Sequence, residues 1–128
     1  MDFFEYGNPR FDGKYLDDCY IRATTIATKR DYDEVAMLFH KKQKELQADL
    51  PNRPWVVEAV MKDLGYEFID TINPKTCKGS IKIRTFLKNN RGKYILKSKE
   101  HVSYAEGGKV IDTWDSSKKL LIGYWIVV

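Results

Sequence analysis

His101-Val102-Ser103-Tyr104-Ala105-Glu106-Gly107-Gly108-Lys109-Val110-Ile111-Asp112-Thr113-Trp114 reads as two strand-like runs joined by a pair of glycines. Two adjacent glycines supply the positive φ angles that a two-residue hairpin turn needs. A turn at Gly107-Gly108 sets Glu106 opposite Lys109, Ser103 opposite Asp112 and His101 opposite Trp114. Side chains two positions apart share a face of a sheet, so Asp112 falls on the face of His101 and diagonal to it. Asp115 would fall on the other face if the strand continued. A bulge or a slip of one residue would exchange the two carboxylates.

Lys93–Lys97 precedes this hairpin and Leu120–Val127 follows it, which gives four strand-like runs in the last third of the chain. Upstream the periodicity is helical. Asp17 and Asp18 stand as caps before a short helix over about residues 18–28, where Ala23, Ile26 and Ala27 recur at helical spacing and Cys19 falls on the first turn. Asp31 and Glu34 form a capping-box pattern before a second helix whose apolar stripe is Tyr32, Val35, Phe39 and Leu46. A third helix is expected from Pro54 to Leu64, ended by Gly65. Tyr66–Ile72 reads as a strand, and Ser80 can cap a short fourth helix carrying Ile81, Ile83, Phe86 and Leu87. Residues 1–16 are aromatic and turn-rich and read as an irregular arm. The order implies an α+β fold, N-terminal helices packed on a C-terminal antiparallel sheet, in a single domain over residues 1–128.

The 128 residues are 43% hydrophobic and 31% charged, a globular balance with enough aromatic side chains to fill a core. The net charge of +4 is spread along helices among Asp and Glu, so a solvated surface is favoured over a nucleic-acid footprint. Cys19 and Cys77 form no C-x-x-C pair, and two cysteines make no disulfide scaffold. The start of the chain lacks the basic and apolar regions of a signal peptide, and Leu120–Val128 is too short to span a bilayer. A soluble protein with free thiols in a reducing cytoplasm is expected. His40 lies among Phe39, Lys41 and Lys42 on an exposed helix, and Cys77 is a loop thiol without a role. Two histidines far apart offer no metal cluster, and there is neither a phosphate-binding G-x-x-x-x-G-K-[ST] loop nor a G-x-S-x-G elbow. No cofactor or metal is implied. Trp55, Trp114 and Trp125 are expected in the core or lining a groove.

A cysteine nucleophile acts as its thiolate, which a helix N-terminus favours through its dipole and free N–H groups. Cys19 occupies such a place, and the same N–H groups can stabilise a developing oxyanion. His101 opens a strand from which an imidazole can reach a helix end, and Asp112 is placed to hold that imidazole in one tautomer.

Asp18-Cys19-Tyr20-Ile21-Arg22-Ala23 opening a helix, then His101-Val102, then Asp112-Thr113-Trp114-Asp115 together resemble the papain-like cysteine peptidase superfamily. They are similar in particular to short phage and prophage proteins with D-C-x-x-R-A and D-T-W-D motifs. The resemblance spans nearly the whole chain. It implies a papain-like fold with Cys19 as nucleophile, His101 as general base and acid, and Asp112 as orienter. It implies acyl transfer at an amide or isopeptide bond of a protein or peptide; peptidases, deamidases and transglutaminases share that machinery. Papain-like enzymes often carry a Gln six residues before the nucleophile as oxyanion donor, and here that position is Gly13. Asn8 could supply an amide instead. Two other readings stay open: a catalytically inactive phage-type module that occludes a protein partner, and a small basic nucleic-acid binder. Oligomeric state is not legible.

Overall fold

A computed structural model of the chain describes residues 2–9, 17–79 and 81–128. It opens with strand β1 (Phe4–Tyr6), followed by helices α1 (Cys19–Thr28), α2 (Tyr32–Glu45) and α3 (Pro54–Asp63). Strands β2 (Glu67–Asp70), β3 (Ile72–Asn73), β4 (Lys78–Gly79) and β5 (Ile81–Lys82) lead to α4 (Ile83–Asn89). The chain ends with β6 (Lys93–Ser98), β7 (His101–Glu106), β8 (Lys109–Asp112), β9 (Leu120–Leu121) and β10 (Gly123–Ile126). The fold is α+β. None of the described helices is long and apolar enough to cross a membrane.

The main sheet has the order β1-β8-β7-β6-β10-β2, antiparallel throughout except for the parallel pair β1–β8. Its centre is the hairpin read from the glycine pair. Gly107 and Gly108 take φ angles of +62° and +84°, and Glu106 pairs with Lys109, Ala105 with Val110 and Tyr104 with Ile111. The ladder ends there. Thr113 and Trp114 bend away, so Ser103–Asp112 and His101–Trp114 are not ladder pairs. A second tight hairpin joins β6 to β7, with Ser98 paired to His101 across Lys99 and Glu100. Glu100 adopts φ +58° there without being glycine.

Alternation along the strands divides the core in two. Ile95, Tyr104 and Trp125 join Tyr20, Val35, Phe39, Val56, Val60 and Met61 of α1–α3 on one face. Leu96, Ala105 and Val110 join Phe3, Ile83, Phe86 and Leu87 on the other. Consecutive residues point to opposite faces, so strands whose neighbours are both apolar must be covered on both sides. The expected helices-on-sheet arrangement therefore becomes three layers, with α4 on the second face. Helix α1 is buried almost all round, and its threonines satisfy their hydroxyls on backbone one turn back: Thr24 on Tyr20, Thr25 on Ile21 and Thr28 on Thr24.

Several local expectations are corrected. The arm at residues 1–16 is not wholly irregular, since Phe4-Glu5-Tyr6 adds an edge strand beside β8. Asp18 stands at the N-cap of α1 without a side-chain cap bond, because its carboxylate is turned to a buried arginine. Asp31 likewise caps α2 by position only. Ser80 lies outside the described residues, and α4 starts after Lys82. Leu46 and Trp55 are exposed rather than in the core, and Trp55 lines neither cavity described below.

Phe39 is fully buried and meets Tyr20 edge-on, with ring centroids 4.8 Å apart. Phe39→Ala should cost about 3–5 kcal/mol of unfolding free energy in urea titrations, the range for a large aromatic deleted from a packed core. A loss below about 1 kcal/mol would mean that α1 and α2 are not held by this contact.

Candidate active site

Cys19 is the first residue of α1 and is half-buried. Its helix packs against β7, whose first residue is His101. That position is stiff: the Ser98 hydroxyl donates to the His101 carbonyl at 3.4 Å, and Lys119 Nζ donates to the Lys99 carbonyl at 2.9 Å in the adjoining turn. His101 is buried, and its Nε2 lies 2.8 Å from Asp112 Oδ2. Nδ1 is thereby left for the sulfur. Cys19 also bears on the imidazole electrostatically. Cys19, His101 and Asp112, far apart in sequence, meet in space.

Asp112 is held from several sides. Its Oδ1 accepts from the Thr113 amide at 2.7 Å and from Arg22 Nη2 at 3.4 Å. Its backbone closes β8 against β1, with Tyr6 as ladder partner and the Gly7 amide donating to its carbonyl at 2.9 Å. Asp115 is elsewhere. Its Oδ1 accepts from the Ser117 amide at 2.9 Å in an Asx turn, and the Ser117 side chain, followed by this amide, holds the carboxyl below its ordinary range. The imidazole meets Asp112 although the ladder stops before their diagonal is complete, because the side chain bridges what the backbone no longer pairs.

Burial works against a charged His101, but the bonds to Asp112 and Cys19 outweigh it and raise the imidazole from 6.5 to about 9. Burial and the nearby Cys19, Asp18 and Asp17 push the Tyr20 phenol up to about 12, so it stays protonated. Trp114 lies against the imidazole, ring centroids 4.6 Å apart, with Lys119 Nζ 5.7 Å from its own centroid.

Cys19, Tyr20, His101 and Trp114 line a cleft of about 700 Å³. The start of α1 and Arg53, Pro54 and Val57 of α3 form one wall; Lys97, Ser98, His101 and Val102 form the other, with Trp114 and Trp125 completing it. A smaller void behind Cys19 is bounded by Arg22, Ala23, Ser103 and Asp112. Among the described residues no set of three or more His, Cys, Asp or Glu is placed to hold a metal ion. His40 and Cys77 are exposed and outside the cleft. Gly13 lies outside the described residues.

Sequence reading missed Arg22 as part of this cluster. Its guanidinium is buried and spans Asp18 at 3.2 Å and Asp112 at 3.4 Å, while the Tyr32 hydroxyl donates to Asp18 at 2.6 Å. The i,i+4 spacing of Asp18 and Arg22 was a visible signal. The link to Asp112 was not.

No protein-family model, no curated protein and no solved structure matches the chain. The site must be read from its own geometry.

A histidine whose folded pKa is raised adds stability that is complete below its unfolded pKa and disappears as pH rises through the folded value. For His101 that window runs from 6.5 to about 9. The His101 ring signals in NMR should titrate with a midpoint near 9, moving downward in both Asp112→Asn and Cys19→Ser, and resistance to urea should fall across the same window. A midpoint near 6.5 in the wild-type protein would show that neither partner supports the imidazolium.

Proposed function

We propose that the chain is a cysteine-dependent hydrolase or acyl transferase of papain-like architecture, acting on an amide or isopeptide bond of a protein or peptide. The observation that carries this reading is that Cys19 and His101 line one cleft, with the imidazole hydrogen-bonded at 2.8 Å to the buried Asp112 carboxylate behind it. Nucleophile, proton carrier and orienter are the parts that thiol acyl transfer needs.

The Cys19 thiolate attacks the substrate carbonyl. A tetrahedral oxyanion then forms beside the first turn of α1, whose leading N–H groups lack intrahelical acceptors. No side-chain cap from Asp18 occupies them. The His101 imidazolium gives its proton to the leaving amine, the C–N bond breaks and a thioester remains on Cys19. The neutral imidazole next takes a proton from water as it attacks the thioester, releasing the acid and restoring the thiolate–imidazolium pair. An amine in place of water would give transfer instead. Asp112 keeps Nε2 engaged throughout, so that Nδ1 faces the sulfur. The cleft is of a size usual for ligand sites, and its apolar walls at Val57, Trp114 and Trp125 suit an extended peptide segment.

Iodoacetamide at about pH 6 should label Cys19 well ahead of exposed Cys77, because an imidazolium beside the sulfur favours the thiolate. His101→Ala should remove most of the advantage. Asp112→Ala should slow Cys19 labelling more than Asp115→Ala, and Cys19→Ser should fold normally while abolishing hydrolysis in a peptide-library screen. Equal, slow labelling of both thiols from about pH 5 to 8 would sink the enzyme reading and favour a silent binding module.

A further inference from the structure

We propose that Arg22 is a positioning residue that fixes the Asp112 carboxylate toward His101 by tying it to the helix that carries Cys19. The inference rests on the thiol acyl-transfer reading above and extends it to a residue outside the three chemical groups.

Asp112 must present Oδ2 to Nε2, and a carboxylate can rotate about its Cβ–Cγ bond. Besides the bond of Oδ2 to His101 itself, rotation is opposed by what holds Oδ1. Two of those contacts come from Thr113, the amide at 2.7 Å and the hydroxyl at 3.5 Å. Thr113 is the next residue in the chain and moves with Asp112. Among the described residues, the hold on Oδ1 from another element is Arg22 Nη2. Arg22 sits three positions after Cys19 on α1, so its guanidinium joins the nucleophile's helix to the orienter's strand. The imidazole lies between those two elements.

The guanidinium is itself fixed. Nη1 meets Asp18 Oδ1, and Asp18 Oδ2 accepts from Tyr32 of α2. Both terminal nitrogens of Arg22 thus meet carboxylates, Nη2 as a hydrogen bond to Asp112 and Nη1 as an ion pair with Asp18 Oδ1, a spread that a planar guanidinium can span and a lysine ammonium cannot. Each buried carboxylate of the cluster has a basic partner, Asp18 in Arg22 and Asp112 in both Arg22 and His101. Nε of Arg22 is buried without a hydrogen-bond partner, so the side chain is oriented for its two carboxylates and not for maximal bonding.

The test is a double-mutant cycle of Arg22→Lys with Asp112→Asn, read as the Cys19 alkylation rate at about pH 6 with Cys77 as internal reference. Lysine keeps the positive charge and loses the fork, so a change in rate reports geometry. Arg22→Lys should slow Cys19 about fivefold in the wild-type background and leave the rate within about 1.5-fold in the Asp112→Asn background. The His101 midpoint in NMR should fall in the first case and stay unchanged in the second. A lower melting temperature with unchanged rate and midpoint would make Arg22 purely structural and overturn the proposal. So would a loss of rate that persists in Asp112→Asn. If Arg22→Lys does not fold, Arg22→Gln enters the same cycle. In the wild-type protein the Arg22 Nη signals should also shift with the same midpoint as His101, and their constancy across that titration would equally overturn the proposal. His101→Ala separates the two levels: a rate like wild type ends the thiol–imidazole reading and the Arg22 proposal with it. A slowed His101→Ala beside an unaffected Arg22→Lys ends only the latter.

Discussion

Asp112 is buried, so the hydration its charge loses on folding has to be replaced by the protein. An unpaired ion in such a place costs several kcal/mol, about 3–5 when one member of a buried pair is removed. The replacements come from Arg22 of α1, His101 of β7 and the Thr113 amide beyond β8, while the Gly7 amide, just past β1, holds the Asp112 backbone. Placing one carboxylate therefore requires the helix layer, the central hairpin and the N-terminal strand to be in register together.

That requirement explains why the site lies where it does. The β7–β8 ladder ends at Tyr104–Ile111, and the backbone bends at Thr113–Trp114 beside the cleft. The N-terminus of α1 is set beside His101 by the packing of α1 on β7, and Pro54 and Val57 of α3 extend the same wall of the cleft. Tertiary packing brings Cys19 and His101 to the same cleft, while local electrostatics sets the proton of the imidazole. The histidine favours its charged form because the Asp112 carboxylate and the neighbouring Cys19 outweigh the burial that would otherwise neutralise it.

The polar residues of α1 serve the same end. Thr24 and Thr25 can lie in a buried helix because each hydroxyl bonds to its own backbone, and Arg22 can because two carboxylates meet it. A buried network of this kind is costly when incomplete and specific when complete. In the proposed mechanism the same network prevents the orienting carboxylate from rotating away.

The sequence by itself determined what depends on near neighbours. Gly107-Gly108 compelled a turn with positive φ at both positions, and the pairing from Glu106–Lys109 to Tyr104–Ile111 followed from it. The extents of α2 and α3, the inward positions Val35 and Phe39 of α2 and the placement of Cys19 on the first turn of α1 were equally legible, since helical periodicity and proline placement are local signals. From the hairpin register, Asp112 could be preferred to Asp115. The tertiary structure decided the rest. Phe4–Tyr6 is a short aromatic run whose strand exists only because β8 offers an open edge. Leu96, Ala105 and Val110 have their partners in α4, a helix too short to reveal its packing face by periodicity. Asp18 looked like a cap and became an ion-pair partner, because a buried guanidinium is a stronger claimant than a helix amide that water or a substrate can reach. Arg22 and Asp112 are ninety positions apart. No local rule joins charges across that distance; only the folding of α1 onto the hairpin brings them within reach and excludes the water that would have kept them apart.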